Sequence, residues 1–181
     1  MKKTLLFLLI FAATKITSAQ YKPVDQASAL TFKISNFGFD VTGTFSGFQG
    51  SINFDPQNPA NGSFDVSIDA TTVNTDNSLR DKHLKDDGYF DIKNYPRIRF
   101  VSDKITVAKN GAYNLSGKLT IKDKTKQVSF PFTASQSADG CVFKGSFSIK
   151  RKDFGVGGTS TIADELQVSL NVHAVKDIVT R

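Results

Sequence analysis

Apolar and polar residues alternate along most of the chain after Gln20, and this period of two is typical of strands that bury one face. The alternation restarts after turn signals, of which Asn110-Gly111 and Asp139-Gly140 are strong predictors of β-hairpins. Apolar residues recur in this way over segments 30–41, 50–54, 64–70, 98–107, 113–121, 128–134, 141–149 and 166–174. The pattern predicts an all-β fold with about eight antiparallel strands.

The first of these segments changes phase in its middle. Residues 30–34 follow one phase and residues 37–41 follow the other, so we predict a bulge or bend near Asn36. Gly43 and Gly47 indicate further kinks or close turns in the same region.

An even set of antiparallel strands commonly protects its edges by closing into a barrel. The interior of an eight-stranded barrel is either filled by side chains or just wide enough for one small ligand. The inward phase combines many phenylalanines with small residues such as Ala70, Gly117 and Gly145, which favours a cavity. A solid core packed with phenylalanine fits the same pattern, and the sequence does not choose between the two.

The β-pattern is interrupted between residues 75 and 100 by a short helical insertion. Asp76 or Asn77 can cap a helix that continues to Leu84, with Leu79 and Leu84 available for an apolar side. Pro96 ends any helix and favours an extended chain before the next strand. We expect this insertion to form a plug or lid at one end of the barrel.

Residues 1–19 have the order of a secretory signal peptide. Lys2 and Lys3 precede an apolar run over residues 5–13, and small residues lead to Ala19. The run is shorter than the ~20 apolar residues that a membrane span needs, so we expect cleavage after Ala19 and no membrane span. Residues 20–181 then form one domain of an exported protein, periplasmic or secreted.

Composition and charge restrict the function further. The formal net charge of +6 includes three lysines of the predicted signal peptide, and the remaining charge is too small to indicate nucleic-acid binding. The chain has 16 Phe, one Met and no Trp, so its interior is rich in flat, rigid rings. The single cysteine, Cys141, lies on the apolar phase and indicates an inert core thiol.

No catalytic or metal-binding constellation is evident in the sequence. His83 and His173 are the only histidines, and with one cysteine they do not supply the ligands of a zinc site. His83 lies near Asp81, which could support acid–base chemistry, but helix-surface contacts explain this pair more simply. The pattern therefore predicts a protein that is not an enzyme and needs no cofactor.

Several motifs in fixed order give the chain a family resemblance. They are Gly43-Thr44-Phe45-Ser46-Gly47-Phe48, Arg80-Asp81-Lys82-His83-Leu84, Tyr89-Phe90-Asp91, Tyr95-Pro96, Ile98-Arg99-Phe100, Gly117-Lys118-Leu119-Thr120-Ile121 and Arg151-Lys152-Asp153-Phe154-Gly155. As a set, the motifs resemble those of the YceI-like family over the whole mature chain. Tyr89 stands where the family often has Phe, and its hydroxyl could donate to a ligand head or face solvent.

The resemblance implies a lipocalin-like antiparallel barrel that binds polyisoprenoids, isoprenoid quinones or related amphiphilic lipids in an apolar tunnel. An isoprenoid tail offers only apolar surface, so we expect inward-phase aromatic residues and the insertion to contact it. The candidate ligand-binding residues are Phe32, Phe64, Leu84, Tyr89, Phe90, Phe100, Phe130, Phe132, Phe143 and Phe147.

Two other functions fit parts of the pattern. An envelope interaction module with a filled barrel core would bind another protein through its loops, and a lipophilic hydrolase or isomerase would place Asp81 and His83 inside the pocket. Exposed barrel ends could also pair two copies as a homodimer.

Overall fold

The computed structural model describes residues 19–177 as a single sheet with one short α-helix. The nine strands are β1 (Gln20–Pro23), β2 (Ala29–Asn36), β3 (Phe39–Asn53), β4 (Ser63–Asn74), β5 (Arg97–Val107), β6 (Tyr113–Ile121), β7 (Lys124–Gln136), β8 (Gly140–Lys150) and β9 (Ile162–Lys176). The helix, α1 (Ser78–Leu84), lies between β4 and β5. Short 3₁₀ turns occupy several connections, including Arg151–Phe154 between β8 and β9.

The sheet closes into an antiparallel barrel of eight long strands. Each strand from β2 to β9 pairs with its neighbour in sequence, and β2 also pairs with β9 to complete the circle. The short strand β1 pairs with both β3 and β9 beside the end of β2. The predicted eight-stranded, antiparallel, lipocalin-like barrel with a helical insertion is therefore confirmed.

The alternation in sequence becomes an alternation between the barrel interior and its outer surface. In β6, Leu115, Gly117, Leu119 and Ile121 are buried, and the residues between them are exposed or half-buried. Burial of these apolar side chains is the main favourable contribution to the free energy of folding, because transfer of apolar surface out of water is favourable. A shift of one residue would turn the whole set outward, so the pattern also fixes the register.

The predicted bulge or bend near Asn36 is confirmed, because the pairing of β2 with β9 shifts register between Ile34 and Asn36, and the chain then turns through a hairpin into β3. Phe37 and Gly38 form the turn with positive φ angles of 50° and 81°, and Asn36 pairs with Phe39. Two positive φ angles match the twist of the flanking strands and reverse the chain within two residues. The change of phase across Asn36 therefore coincides with this register shift and with a hairpin turn that the sequence analysis did not predict.

Segments 39–41 and 50–54, which the sequence analysis separated, belong mostly to the one long strand β3. The predicted kink at Gly47 is confirmed, because the pairing of β3 with β4 shifts register between Ser46 and Gln49. Gly47 has a φ of 74°, and a Cβ there would collide with Asp69. Gly43 continues the regular pairing with Phe32, so the kink expected there is absent from the described strand.

Helix α1 begins where the sequence indicates. Asn77 is its N-cap, and the Asn77 Oδ1 accepts a hydrogen bond from the Arg80 amide at 2.9 Å. Leu84 packs toward the barrel core, whereas Leu79 is 64% exposed. The expectation of one shared apolar side is wrong, since residues five apart lie on different faces of a helix.

The alternating direction of the strands gives the barrel two different ends. The helix end carries the β2–β3 hairpin, α1 and the connection from β8 to β9, and the terminus end carries Ala19 and Asp177. The predicted signal peptide falls outside the described residues, apart from Ala19, and β1 starts at Gln20. Within residues 19–177, no helix has the length and apolar character to cross a bilayer.

Candidate ligand-binding site

The barrel interior contains two apolar chambers that follow one another along its axis. The inner chamber has a volume of about 120 Å³ and lies toward the terminus end, and the rim chamber has a volume of about 150 Å³ and lies at the helix end. A waist separates them, formed by the side chains that line both chambers: Leu30, Ile68, Ile98, Leu119 and Phe147. These waist residues come from five of the eight long strands, so they surround the barrel axis.

An aromatic cluster fills the terminus end beneath the inner chamber. Phe54 is completely buried at its centre, and its ring lies 5.1 Å from that of Tyr113 and 5.6 Å from that of Phe143. These rings meet edge to face, which is a favourable geometry for aromatic pairs. The cluster closes this end of the barrel, so a ligand's route to the interior lies at the helix end.

All ten candidate residues predicted from sequence lie along the walls of these chambers. Phe64, Phe100, Phe130, Phe132, Phe143 and Phe147 line the inner chamber, and Phe32, Leu84, Tyr89, Phe90 and Phe147 line the rim chamber. Three of them, Phe64, Phe132 and Phe143, also pack on Phe54 and so belong equally to the core. Phe147 stacks on Phe130 with ring centroids 4.4 Å apart.

Glycines in the barrel wall make room for some of these rings. Gly43 is the cross-strand partner of Phe32, and a Cβ at Gly43 would overlap the Phe32 ring. Gly117 makes similar room for Phe100 without being its cross-strand partner, because a Cβ at Gly117 would lie 2.6 Å from Phe100 Cζ. Each ring lies against bare backbone, which leaves the centre of the barrel open.

The insertion covers the rim chamber with side chains that reach inward from α1 and the loop after it. The Phe90 ring meets the Phe45 ring edge to face at 5.3 Å, and Leu84 and Tyr89 line the same space. The expected plug or lid therefore has a structural counterpart at the helix end. Phe45 is a lining residue that the sequence analysis did not select, although it lies on the inward phase of β3.

Sequence analysis also missed two arginines at the rim chamber. Arg151 is only 6% exposed, and its guanidinium donates to the five carbonyl oxygens of Val156, Gly158, Ser160, Ile162 and Ala163. These bonds hold the loop between β8 and β9 in a tight arc around a charged group. Arg80 donates from Nε and Nη2 to the Oγ1 and carbonyl oxygen of Thr75.

The arginine donors are therefore directed at the protein backbone and Thr75 rather than at the centre of the chamber. The chamber walls are almost entirely carbon, since the apolar stems of these side chains face the space. Such walls favour an apolar guest, because a polar one would lose its hydrogen bonds to water without replacement.

The acid–base pair considered from sequence lies outside this space. The described residues that line the chambers include neither Asp81 nor His83. Asp81 Oδ1 instead accepts hydrogen bonds from the Thr75 amide and hydroxyl, so it joins α1 to the end of β4. Among residues 19–177, no group of three or more His, Cys, Asp or Glu side chains is arranged to hold a metal ion.

The family model of the YceI-like domain matches residues 21–174, which is nearly the entire described barrel. The chain belongs to the YceI-like family. A YceI-like relative, Protein YceI of Escherichia coli O157:H7, is 33% identical over 97% of this chain and 99% of its own length.

Two solved structures have a fold similar to that of this chain. BcnA of Burkholderia cenocepacia is 33% identical, with a TM-score of 0.77 over 82% of this chain and 96% of BcnA. A polyisoprenoid-binding domain from Saccharophagus degradans has a TM-score of 0.71 over 89% of this chain and all of that domain. It is 16% identical to this YceI-like chain, so the likeness concerns the fold.

Proposed function

We propose that this protein binds one long apolar lipid, of the isoprenoid or isoprenoid-quinone class, inside the barrel. The observation that carries the proposal is the pair of aligned chambers with walls of almost pure hydrocarbon. Burial of apolar ligand surface stabilises a complex by roughly 25 cal/mol per Å². A chain that occupies both chambers gains this energy along its length without any polar recognition in the interior.

The shape of the space supports a slender chain over a bulky ring system. Each chamber is similar in volume to an engineered apolar cavity of about 150 Å³ that accepts a benzene molecule. The two chambers share the waist residues as lining, so a chain longer than one chamber would pass between these side chains, among them Phe147. Selection would therefore follow the length and thickness of the lipid.

The polar end of the ligand would remain at the helix end, because the terminus end is filled by the cluster around Phe54. Tyr89 lines the rim chamber, where its hydroxyl could donate to such a group. The structural neighbour from Saccharophagus degradans, named for polyisoprenoid binding, supports the same ligand class. The signal-peptide pattern of residues 1–19 supports export, and we propose that the protein carries lipid in the periplasm or outside the cell.

The main alternative is an envelope interaction module whose barrel core is filled. That function requires a dry, fully packed interior, and the two chambers argue against it. The lipophilic hydrolase or isomerase requires Asp81 and His83 in the pocket, and their positions outside the chamber walls argue against that as well.

A substitution at the waist tests the proposal. Leu119 lines both chambers, so Leu119→Trp should obstruct the passage while keeping the interior apolar. The neighbouring Lys118 is exposed on the same strand, so Lys118→Trp is the matched control. Protein freed of lipid by unfolding and refolding would be titrated with isoprenoid alcohols of increasing chain length.

The unsubstituted protein and Lys118→Trp should bind the longer alcohols equally, and Leu119→Trp should bind them at least about tenfold more weakly through overpacking. Because the natural chain has no tryptophan, the introduced indole also reports contact by its fluorescence. Saturable binding that Leu119→Trp leaves unchanged would place the lipid outside the barrel and overturn the proposal.

A further inference from the structure

The β2–β3 hairpin at the helix end presents two exposed aromatic rings. Phe37 is 75% exposed and Phe39 is 77% exposed, although the other twelve phenylalanines within residues 19–177 are buried or half-buried. Leu79 of α1, on another connection at the same end, is also largely exposed. Both exposed aromatic rings thus lie at the helix end, and neighbouring exposed apolar side chains of this size are typical of a contact surface.

The conformation of Phe37 makes its presence at this position informative. Its φ of 50° lies in the left-handed region, which bulky residues rarely adopt and which Asn, Asp and Gly tolerate best. The turn therefore disfavours Phe37 twice, through the backbone and through exposure of the ring to water. No burial of the Phe37 ring within the monomer offsets these two costs, so the side chain is suited to an apolar environment outside the monomer.

Phe39 lies beside the rim chamber without lining it. Phe39 lies on the same phase of β3 as Val41, which lines that chamber two residues deeper. Phe39 also pairs with Asn36, another lining residue, and therefore shares its face of the sheet. An apolar path thus runs from the hairpin tip through Val41 into the rim chamber.

The charges near the tip are balanced rather than of one sign. Lys33 and Asp40 form an ion pair at 2.6 Å across the hairpin, and Lys124 pairs with Asp123 on the β6–β7 turn at the same end. Helix α1 adds both acidic and basic side chains. A surface of this kind does not attract a strongly charged partner, and its contribution to binding is apolar.

We propose that the β2–β3 hairpin tip, formed by Phe37, Gly38 and Phe39, inserts into the surface of a phospholipid membrane and brings the rim chamber against it. Membrane contact at this end would let an apolar chain pass between bilayer and barrel with little exposure to water. The purpose of this contact rests on the proposed lipid binding, but the contact itself is a separate property of the hairpin.

Vesicle binding tests this inference with the full-length mature protein. Co-flotation would be measured with vesicles of pure phosphatidylcholine and with vesicles containing 20% phosphatidylglycerol (roughly one lipid in five), each at low and high salt. The test variant combines Phe37→Asn with Phe39→Thr, which suit a tight turn and a strand. Its matched control combines Val107→Thr with Val175→Thr, which removes exposed apolar side chains on strands away from the hairpin.

The unsubstituted protein and the valine control should bind both vesicle types, with little effect of salt. The phenylalanine variant should bind more than about tenfold more weakly, since insertion strength scales with buried apolar area. Its melting temperature should be equal or higher, because Asn tolerates the positive φ at this position. Lipid uptake from detergent solution should stay unchanged, which separates this inference from the proposed function.

Three results would overturn the inference. Equal vesicle binding by the phenylalanine variant would exclude the hairpin tip as the contact. Binding that requires the anionic lipid and disappears at high salt would indicate electrostatic attraction instead. A dimer that dissociates in the phenylalanine variant, with no vesicle binding by either protein, would show that a second copy covers the rings.

Discussion

Glycines beneath aromatic rings set the width of the barrel interior. The Phe32 ring occupies the space above Gly43 where any other residue would place its Cβ, and Phe100 uses Gly117 in the same way. Glycine weakens a strand, because it gives up side-chain packing and more conformational entropy than other residues. That cost is consistent with a barrel built to keep space along its axis.

Substitution Gly43→Ala should therefore push Phe32 into the rim chamber. We expect a loss of about 1–3 kcal/mol in the free energy of unfolding, from overpacking, together with weaker binding of long isoprenoid alcohols. Urea unfolding and ligand titration measure the two effects. Gly88→Ala is the control, since a Cβ there meets no atom within 4 Å, and equal binding by both variants would contradict the assignment.

Cys141 illustrates a residue whose environment suppresses its chemistry. The side chain is 1% exposed, and burial raises the pKa of its thiol to about 11 from the usual 9.0. The folded protein should therefore react with thiol reagents at pH 8 far more slowly than the urea-unfolded chain. The folded state keeps the thiol protonated, so its raised pKa also favours unfolding as the pH rises from about 9 to 11.

Thiol-labelling rates in native buffer and in urea check this expectation. Cys141→Ala should remove part of the decline in stability above pH 9, as measured by urea unfolding across that range. Native labelling as fast as that of the unfolded chain would show that the thiol is accessible and ionised, in conflict with its place in the core.

At the scale of elements, the loop between β8 and β9 depends on a single side chain. Arg151 supplies donors to five carbonyl oxygens, of which those of Val156, Gly158 and Ser160 lie in the loop outside the strands. The guanidinium is thus the shared hydrogen-bond donor for the carbonyl groups that surround it. The same loop adjoins Tyr89, whose ring lies close to Gly157, so its order affects the rim chamber.

Substitution Arg151→Lys should lower the free energy of unfolding by about 2–4 kcal/mol, because an ammonium group has fewer donors and lacks the planar fork. We expect faster ligand exchange as well, since the loop borders the rim chamber. Lys152→Ala is the control, because Lys152 is exposed beside it. Equal unfolding midpoints for the two variants would contradict a structural role for the guanidinium.

The elements differ in how far the sequence could predict them. Strands β4 to β9 follow regular alternation between clear turn signals, and Asn77 marks the start of α1, so local patterns suffice there. The β2–β3 hairpin was missed because Phe37-Gly38 is not a common turn pair and its apolar residues continue the pattern. Its turn conformation depends on the twist of the paired strands, which a local pattern does not contain.

The candidate site was likewise predictable from the sequence only in part. The alternation of apolar and polar residues identified the aromatic residues correctly as interior positions, because successive side chains of a strand point to opposite faces of the sheet. It could not separate Phe54, which fills the terminus end, from Phe100, which borders a chamber. That distinction depends on pairing between distant strands, and so do the carbonyl partners of Arg151.

At the scale of the whole molecule, the barrel is asymmetric along its axis. Aromatic packing around Phe54 closes the terminus end, and chamber-lining side chains from α1 and the β2–β3 hairpin border the helix end. The closed sheet provides a rigid wall for this arrangement, because every long strand is paired on both sides. The asymmetry is compatible with the proposed entry of an apolar chain through the helix end.

The central claim is that the barrel holds one lipid, and the most direct test is the mass of the protein purified from the envelope of its own host. Native and denaturing mass spectra would be compared, and the released molecule would be extracted into solvent and identified. We predict a native mass that exceeds the chain by one isoprenoid or other long-chain lipid, lost on denaturation. A native mass equal to the chain alone, with no uptake of added isoprenoids, would contradict the account.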